Sequence, residues 1–376
     1  MPAVRNVLVV GAGTAGAAVA IRLAAGGVAV DLVDVRPDAG AHGSGITLQG
    51  NALRVLRELG VWERLRERGY GFDTLGLRAP DPHGTLLAEV TGIRTGGPDL
   101  PASFGTYRPV LARLLLERAE QAGARISFGA TFTSMRPLGA SVEVTLTDHR
   151  TEHYDLVIGA DGMRSAVRRA IGIELTTHDV GIDIWRVVAP RPPSVRRTEL
   201  IHGGPAYIAG YCPTGPDTLY AYLAEAPRRR GRLTPAQSLA VVRELAAGYH
   251  GPWDEIREGF TDPDGINFTR FRHHLLDGPW HRGRVAVIGD AAHTAPPTLA
   301  QGAAMSLEDA AVLGELLLSR PALDDRLWAE FTARRLERVR TVVDGSVQMC
   351  RWLLDGEQGD VPGLNHRIAT LLAQPA

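Results

Sequence analysis

The sequence predicts an α/β fold in which a larger domain is interrupted by a smaller β-rich domain and followed by C-terminal helices. Three observations support this prediction. Residues 5–35 have a strand–helix–strand pattern, residues 71–100 and 179–269 are rich in Pro and Gly between strand-like pieces, and strand–turn–helix segments return at 155–168 and 284–313. We therefore assign 1–72, 101–178 and 270–320 to the larger domain, 73–100 and 179–269 to the β-rich domain, and 321–376 to the C-terminal helices.

The first segment follows this pattern closely. Residues 7–10 form a short β-branched run, residues 17–25 favour a helix with small side chains on its packing side, and residues 29–35 form a second strand. An amphipathic helix is expected at 51–59, where Gly60 ends it. Further strands are expected at 125–128, 142–146, 156–158, 206–212, 218–223 and 285–288, and long helices at 110–122, 305–318 and 328–354.

Composition excludes several classes of protein. The chain has 376 residues and a formal net charge of −1, which argues against nucleic acid or an anionic membrane as the main partner. No apolar run is long enough to cross a bilayer, and residues 7–10 lead directly into a glycine turn instead of a signal-peptide cleavage site. Two unpaired cysteines, Cys212 and Cys350, indicate a reducing, cytoplasmic compartment and no metal site. The absence of lysine excludes Schiff-base catalysis.

The first motif is Gly11-Ala12-Gly13-Thr14-Ala15-Gly16, between the first strand and the first helix. In such a turn the first glycine permits the sharp bend, the second lets a pyrophosphate approach, and the third allows helix and strand to pack closely. Asp34 ends the second strand at the distance expected for an acid that binds ribose hydroxyls. Because strand, turn, helix, strand and acid occur in order, the segment predicts dinucleotide binding.

Two further motifs end in the same kind of turn. Asp155–Arg168 contains a buried-type strand followed by Gly159-Ala160-Asp161-Gly162, where Asp161 either caps the next helix or lies beside the pyrophosphate. Arg284–Leu313 contains a strand ending in Gly289-Asp290, a loop with consecutive prolines, and a helix opening near Gly302. Asp290 could accept hydrogen bonds from a polyol, and the helix start could hold a group that becomes anionic. His293 in the loop is better explained as structural than as a base.

Together these segments resemble the class A flavoprotein monooxygenases, the para-hydroxybenzoate hydroxylase-like family of FAD-dependent aromatic hydroxylases. The resemblance spans roughly residues 5–345. Its most specific parts are Asp161-Gly162 with Ser165 and Arg168, and Gly289-Asp290-Ala291-Ala292-His293. The Tyr107-Arg108 and Gly45-Ile46-Thr47-Leu48 segments also match, the latter with Asn51-Ala52. The implied fold is a Rossmann-like FAD-binding domain interrupted by a β-sheet substrate domain. The family's usual Gly-Gln-Gly is Ala300-Gln301-Gly302 here, and a frequent Asn is Ala304.

The resemblance implies a role for each matching residue. The pyrophosphate would lie at Gly11, Gly13, Thr14, Ala15 and Gly16, and the adenosine end at Asp34, Val35 and Arg36. Arg108 and Asp290 would contact the ribityl part, Asp161 would support FAD, and Pro297, Gly302 and Ala303 would border the flavin ring. NAD(P)H would act as a transient co-substrate, and a flavin C4a-hydroperoxide would transfer oxygen from O2 to a small aromatic substrate.

The substrate side is less defined by the sequence. Alternation places Tyr211 on one face of its strand and Tyr222 on one face of the next. His202 and Arg186 are the other candidates, Arg186 because it could anchor a carboxylate. Alternative reactions on the same fold are Baeyer–Villiger oxidation, epoxidation and dehydrogenation, and a non-catalytic FAD-binding sensor is a minor alternative. Monomer and homodimer are both compatible with the sequence.

Overall fold

The computed structural model describes residues 2–38 and 43–376. Within them the strands are β1 (Asn6–Val10), β2 (Ala29–Asp34), β3 (Gly45–Gln49), β4 (Gly69–Phe72), β5 (Thr74–Arg78), β6 (Leu86–Thr91), β7 (Ser103–Tyr107), β8 (Arg125–Phe128), β9 (Phe132–Pro137), β10 (Val142–Leu146), β11 (Thr151–Tyr154), β12 (Leu156–Gly159), β13 (His178–Pro190), β14 (Thr198–His202), β15 (Ile208–Pro213), β16 (Thr218–Glu225), β17 (Ile266–Leu275), β18 (His281–Arg282), β19 (Val285–Val287) and β20 (His293–Thr294). The α-helices are α1 (Thr14–Ala25), α2 (Gly50–Glu58), α3 (Trp62–Arg66), α4 (Arg108–Gln121), α5 (Ala166–Ala170), α6 (Pro235–Ala246), α7 (Pro252–Glu258), α8 (Gly302–Ser319), α9 (Asp325–Asp355) and α10 (Val361–Ala373).

The first sheet has six strands in the order β18-β19-β12-β1-β2-β8. All its neighbours pair in parallel except β18 and β19. The central strands β1 and β12 are buried almost throughout, as expected for a parallel sheet covered on both faces. Helix α1 packs against α4 and α8, so the strand–helix–strand unit predicted at residues 5–35 forms the centre of this layer. Since the glycine turn follows β1, it lies at the carboxyl edge of the sheet, where ligands of such sheets bind.

The second large sheet has eight strands in the order β20-β17-β13-β16-β15-β14-β5-β6. Its long antiparallel pairs, β13 with β16 and β13 with β17, cross its middle. One face is covered by α6 and α7, which bury Trp253, Tyr249 and Phe260 against it. These two helices lie in a segment for which the sequence predicted only strands, because its Pro, Gly and Tyr content concealed their short helical periodicity. The other face packs against Gly45 of β3 through Tyr220 and against Cys350 of α9.

A three-stranded sheet, β3-β7-β4, lies between the two large sheets. Glycines permit the close approach: a Cβ added to Gly45 would lie 2.0 Å from the Tyr220 ring, and one added to Gly105 would lie 1.9 Å from the Pro213 carbonyl oxygen. A further antiparallel sheet, β11-β10-β9, follows β8. The small middle sheet is thus closely packed against β15 and β16 of the eight-stranded sheet.

The C-terminal helices brace the first layer. Helix α8 packs against α1, α2 and α9, and α9 in turn packs against α10. The sequence predicted the two long helices α8 and α9 but treated the short α10 only as part of the C-terminal region. Across the described ranges, no helix combines the length and apolarity required to traverse a bilayer.

Candidate active site

The glycine turn between β1 and α1 is fixed by backbone contacts. Gly11 has φ of +105°, and its N–H donates to the Val33 carbonyl oxygen at 2.7 Å. An added Cβ would lie 2.4 Å from the Ala160 oxygen at Gly11, and 1.8 Å from the Gly11 oxygen at Gly16. An added Cβ at Gly13 would meet no atom within 4 Å, so Gly13 borders open space at the carboxyl edge of the first sheet, here called the cleft. Two of the three glycines are therefore required by the protein itself, and the third leaves room for a ligand.

The start of α1 offers hydrogen-bond donors to that cleft. Gly13 is the N-cap, no side chain caps the helix, and no acid lies in its first turn. Free N–H groups of Thr14 and Ala15, together with the positive end of the helix dipole, suit a diphosphate.

Asp34 is held by four hydrogen bonds at the end of β2. Oδ2 accepts from the Ala12 N–H at 2.8 Å and from Arg36 Nη2 at 2.9 Å. Oδ1 accepts from the Arg36 N–H at 2.8 Å and from Arg36 Nε at 3.0 Å. Burial raises the pKa of Asp34, but these donors outweigh it and hold the pKa below its usual 3.8. The carboxylate is thus ionised and paired with Arg36, whose guanidinium is exposed, and Val35 beside it is 72% exposed.

The structure assigns Asp161 a capping role. Its carboxylate accepts from Ser165 Oγ at 2.5 Å and from the N–H groups of Ala166 and Val167 at 2.6 and 3.0 Å. Of the two interpretations left open by the sequence, the helix cap is therefore present. The turn that carries Asp161 also lies beside the glycine turn, because Gly11 contacts Ala160 and the Cα of Asp161. Asp161 thus helps to shape the turn that lies beside the glycine turn.

The Gly289-Asp290 turn completes the cluster of three motifs. Gly289 has φ of +60°, and an added Cβ would lie 2.9 Å from Ala15 Cβ. Arg168 joins the second and third motifs, since its Nη1 donates to the Ala291 carbonyl at 2.6 Å. The Asp290 side chain is solvent-exposed at this turn, although the surrounding protein raises the pKa of its carboxyl above the usual 3.8 while His293 and Arg108 oppose that rise.

The loop that leads into α8 has a left-handed residue. Ala300 adopts φ of +52° and ψ of +34°, a conformation that glycine takes without strain. This is the position where the resembling family has glycine. Beyond it, α8 begins at Gly302 without a side-chain cap and without an acid in its first turn. Pro297 is exposed on the cleft side of the loop and Gly302 and Ala303 are half-buried.

Behind this loop lies a buried ionic cluster that the sequence analysis did not identify. Glu308 accepts from Arg335 Nη1 and from Arg338 Nε at 2.8 and 2.7 Å. Asp309 accepts from Arg335 Nε at 2.8 Å, from the Gly289 N–H at 2.9 Å, and pairs with His293 Nε2 at 2.7 Å. His293 is 2% exposed and is part of this structural cluster, as the sequence favoured.

A pair of amides connects the cluster to the loop. Asn51 Nδ2 donates to Gln301 Oε1 at 3.1 Å and to Glu308 Oε1 at 3.0 Å. The adjacent acids Glu308 and Asp309, with apolar residues on both sides, and arginines at i and i+3 of the next helix were the available sequence signal for this arrangement. Pairing could be inferred only after the packing of α8 against α9 was known.

The substrate-side candidates divide between the two faces of the eight-stranded sheet. Strand register pairs Arg186 with Tyr222 and Tyr222 with Gly210, so Arg186 and Tyr222 share a face. Tyr220 lies on the same face, and its ring centroid is 5.4 Å from that of Tyr222. His202 pairs with Ile208 on this face and is exposed. Thr47 of β3 lies against this face, where it contacts the Tyr220 hydroxyl.

Tyr211 lies on the opposite face and is not retained as a candidate. It is 1% exposed, packs against Trp253 of α7, and its hydroxyl donates to the buried carboxylate of Glu199. The sequence correctly placed alternate residues on alternate faces but could not show that neighbouring strands present Tyr211 and Tyr222 in opposite directions. The register of β15 against β16 decides this.

Two residues of the site were missed. Thr47 Oγ1 lies 2.9 Å from the Tyr220 hydroxyl and 3.3 Å from Cys212 Sγ. The sequence analysis included Thr47 only as part of a matching segment and did not select Tyr220. Their contact joins the small middle sheet to the substrate-side face.

The residues present fit FAD. The glycine turn has space at Gly13 and uncapped donors at α1 for a diphosphate, Asp34 is ionised for a ribose, and Asp290 and Arg108 face the cleft for the part between diphosphate and ring. The uncapped start of α8 can stabilise the ring when it becomes anionic. These features define a flavin-dependent α/β enzyme.

Comparison with known proteins identifies the family. Residues 5–346 match the FAD binding domain family, and the chain belongs to it. The chain is 31% identical over 349 residues to a 2-heptyl-3-hydroxy-4(1H)-quinolone synthase of Pseudomonas aeruginosa, covering 89% of this chain and 87% of that protein. It is 30% identical over 352 residues to a 6-hydroxynicotinate 3-monooxygenase of Pseudomonas fluorescens, covering 90% and 89%.

The fold is shared with a solved structure of 2-methyl-3-hydroxypyridine-5-carboxylic acid oxygenase in its tetrameric form. The TM-score is 0.82 at 24% identity, with 97% of this chain and 96% of that chain covered. The chain is thus an FAD-dependent monooxygenase with the class A fold, as the sequence predicted.

Proposed function

We propose that the enzyme hydroxylates a small aromatic molecule, with NADH or NADPH as electron donor and O2 as oxygen source. The observation that carries this proposal is the proximity of the third turn to one face of the eight-stranded sheet. Arg108 lies near enough to act electrostatically both on Asp290, at that turn, and on Arg186, on that face. Relatives named for 6-hydroxynicotinate and for a heptyl-quinolone support an aromatic heterocycle as the substrate.

Different residues around the cleft would bind different parts of FAD. Gly11, Gly13, Thr14, Ala15 and Gly16 would hold the diphosphate through backbone N–H groups. Asp34 would bind the adenosine ribose while Val35 and Arg36 border the adenine. Arg108 and Asp290 would hold the ribityl chain, and Pro297, Gly302 and Ala303 would border the ring. Bound FAD supplies the redox chemistry, accepting electrons from reduced nicotinamide and activating O2.

The substrate-side face supplies hydrogen-bond donors. Burial raises the pKa of Tyr220 and of Tyr222 above the usual value of 10, so both phenols are neutral at physiological pH. They can donate to an oxygen on the substrate but cannot act as bases. Tyr220 already contacts Thr47, which leaves Tyr222 as the donor for the substrate. His202, at the exposed end of β14, is retained as the residue that could exchange a proton with solvent.

The test is a turnover experiment with isotopically labelled O2. Purified, FAD-loaded enzyme is given NADH or NADPH and a panel of phenols, hydroxypyridines and quinolones, while NAD(P)H oxidation, peroxide release and product mass are measured. We expect a true substrate to accelerate NAD(P)H oxidation, lower peroxide release and gain one labelled oxygen on its ring. A product without labelled oxygen would indicate dehydrogenation, and a labelled ester or lactone would indicate Baeyer–Villiger oxidation; either result contradicts the proposal.

Matched variants test the assignment of faces. Tyr222→Phe removes a hydroxyl from the substrate-side face, and Tyr211→Phe removes one from the opposite face of the same sheet. We expect Tyr222→Phe to raise KM or peroxide release, and Tyr211→Phe to change stability alone. Equal kinetic effects of the two substitutions would contradict the site.

We also propose a cytoplasmic location, since Cys212 and Cys350 are free thiols. The expected assembly is a monomer or a homodimer.

A further inference from the structure

A buried histidine joins the eight-stranded sheet to the turn that carries Asp290. His274 lies near the end of β17 and is 2% exposed. Its Nε2 lies 3.0 Å from the Asp290 carbonyl oxygen, and its Nδ1 lies 2.8 Å from Thr177 Oγ1. Both ring nitrogens are therefore engaged inside the protein, so the imidazole is held from two sides.

The partners of His274 determine which ring nitrogen carries the proton. A carbonyl oxygen can only accept, so Nε2 must donate to Asp290. Burial lowers the pKa of His274 to about 4, and the positive charge of Arg168 acts in the same direction, so the ring carries one proton at neutral pH. Nδ1 is then unprotonated and accepts from the Thr177 hydroxyl. This arrangement of donors and acceptors satisfies all three groups.

The turn itself is held through successive backbone groups, since the carbonyl oxygens of residues 290–292 each accept a hydrogen bond from a different residue. The three donors, in order, are His274 Nε2 at 3.0 Å, Arg168 Nη1 of α5 at 2.6 Å, and the N–H of Leu276 at 2.9 Å. The imidazole acts on the peptide group that adjoins the Asp290 Cα. Because that group is planar, holding its carbonyl oxygen limits where the Asp290 carboxylate can lie.

His274 also lies where the chain passes between the two large sheets. Thr177 belongs to the segment that leads from α5 to β13, and β17 ends one residue after His274, before the chain returns to the first sheet at β18. The hydrogen-bonded series Thr177–His274–Asp290 therefore includes both of these connections and the turn. A shift of the eight-stranded sheet would be transmitted to the Asp290 turn through the imidazole.

We propose that His274 is a positioning residue of the cofactor site, which fixes the Asp290 turn against the eight-stranded sheet through its Nε2–H group. This rests on the proposed function, because it takes Asp290 as a ligand of the ribityl chain. Without the Nε2–H donor, the Asp290 carbonyl oxygen loses its partner and the turn spends only part of the time in the position that binds FAD. The apparent affinity for FAD falls by that fraction.

Three substitutions separate this role from a general loss of packing. His274→Gln can place its amide nitrogen where Nε2 lies, whereas the shorter His274→Asn reaches only the position of Nδ1 and loses the bond to Asp290. His273→Asn is the matched control on the same strand. The His273 ring is half-buried and stacks on His178, with 5.3 Å between the ring centroids.

Equilibrium dialysis of the FAD-loaded proteins gives the Kd for FAD, and visible circular dichroism reports the surroundings of the bound flavin. Far-ultraviolet circular dichroism at the same temperature shows that each protein is folded. We expect His274→Asn to raise Kd about tenfold and to alter the flavin spectrum. His274→Gln should recover most of the wild-type Kd and spectrum, and His273→Asn should leave both unchanged.

The inference is overturned if His274→Asn binds FAD as wild type does, or if His274→Gln binds it no better than His274→Asn. Should His274→Asn fail to fold, Thr177→Val tests the same series, because it removes the donor to Nδ1 and frees the ring to change its tautomer. We expect that variant to raise Kd about threefold, and a wild-type Kd would again overturn the inference. A wild-type protein that retains no FAD contradicts the proposed function, whereas one that retains FAD equally with all its variants contradicts only the positioning role.

Discussion

Replacement of Arg335 by Met is the sharpest test of the buried ionic cluster. Arg335 has no exposed side-chain surface, and it is the only arginine that bonds both Glu308 and Asp309 within the described chain. Methionine is of similar length and fills the space with apolar atoms. The substitution therefore removes the charge while leaving the two acids buried.

The expected loss follows from what each acid retains. Glu308 keeps two hydrogen bonds from Arg338, at 2.7 and 2.8 Å, and one from Asn51. Asp309 keeps the Gly289 N–H and His293 but loses its arginine. Removing one partner of a buried ion pair costs about 3–5 kcal/mol, and we expect the free energy of unfolding to fall within that range.

The pH dependence of the stability difference provides a second, independent test of this prediction. Burial raises the pKa of Asp309, but His293 and Arg335 outweigh it and hold the pKa below 3.8. A lowered folded pKa means that the stabilisation is complete above the unfolded pKa and is lost as the pH falls through the folded one. Arg335→Met removes one of the groups that lower the pKa of Asp309, so we expect burial to raise that pKa. The difference in stability between wild type and Arg335→Met should therefore be full at pH 7 and should narrow as the pH approaches 4.

Urea unfolding of the FAD-loaded proteins, followed by tryptophan fluorescence and circular dichroism from pH 4 to 7, measures this difference. Arg340→Met is the matched control on the same helix, because Arg340 pairs at 2.7 Å with the largely exposed Asp277. Exposed pairs contribute about 0–1 kcal/mol, so the control should stay close to wild type. An Arg335→Met protein within 1 kcal/mol of the control at pH 7, or a difference that does not change with pH, would refute the reasoning.

Three further predictions concern the turns around the cleft. Gly16→Ala places a Cβ 1.8 Å from the Gly11 oxygen and should lower both stability and FAD content. In Gly13→Ala the new Cβ meets no protein atom within 4 Å, so the apoprotein should melt as wild type does while FAD binding weakens. Equal melting temperatures for the two apoproteins would contradict this. Ala300→Gly should stabilise the apoprotein by about 1 kcal/mol in urea unfolding, because alanine is strained at its φ of +52°, and a loss of stability would count against that strain. Asp161→Ala removes the carboxylate that caps α5 and should lower the free energy of unfolding by about 1–2 kcal/mol. Asp161→Asn should recover part of this loss. A loss of FAD without any loss of stability would instead show that Asp161 contacts the cofactor directly.

Much of the first layer could be predicted from the sequence because its signals are local. In this layer the strand expected at 125–128 has those bounds, and the expected helix at 17–25 forms the greater part of α1. The strand expected at 142–146 also has those bounds, in the adjoining three-stranded sheet. The discontinuous order of elements also indicated two sheets. The domain boundaries at 73–100 and 179–269 are still predictions, since the strands of the eight-stranded sheet extend to Leu275 and β20.

The substrate side was predicted less well because it depends on long-range register. Period-two alternation places Tyr211 and Tyr222 on faces of their own strands, but only the pairing of Tyr211 with Ala221 shows that the two tyrosines point oppositely. In the same way, nothing local to Glu308 identifies Arg335 and Arg338 as its partners, which lie on another helix. Charges on an apolar helix predict burial with a partner, and the partner's identity comes from tertiary packing.

The buried cluster also connects stability to the cofactor cleft. Asp309 binds the Gly289 N–H directly, and Asn51 bonds both Glu308 and Gln301, so two of the segments that face the FAD site are held by the same pair of acids. If Arg335 served stability alone, its loss would weaken the whole fold uniformly and FAD would dissociate only as the protein unfolded. Because the acids anchor these two segments specifically, FAD affinity should fall at urea concentrations where the secondary structure of Arg335→Met is still intact. The Gly289-Asp290 turn thus depends on a charge balance that lies behind it, out of contact with the ligand.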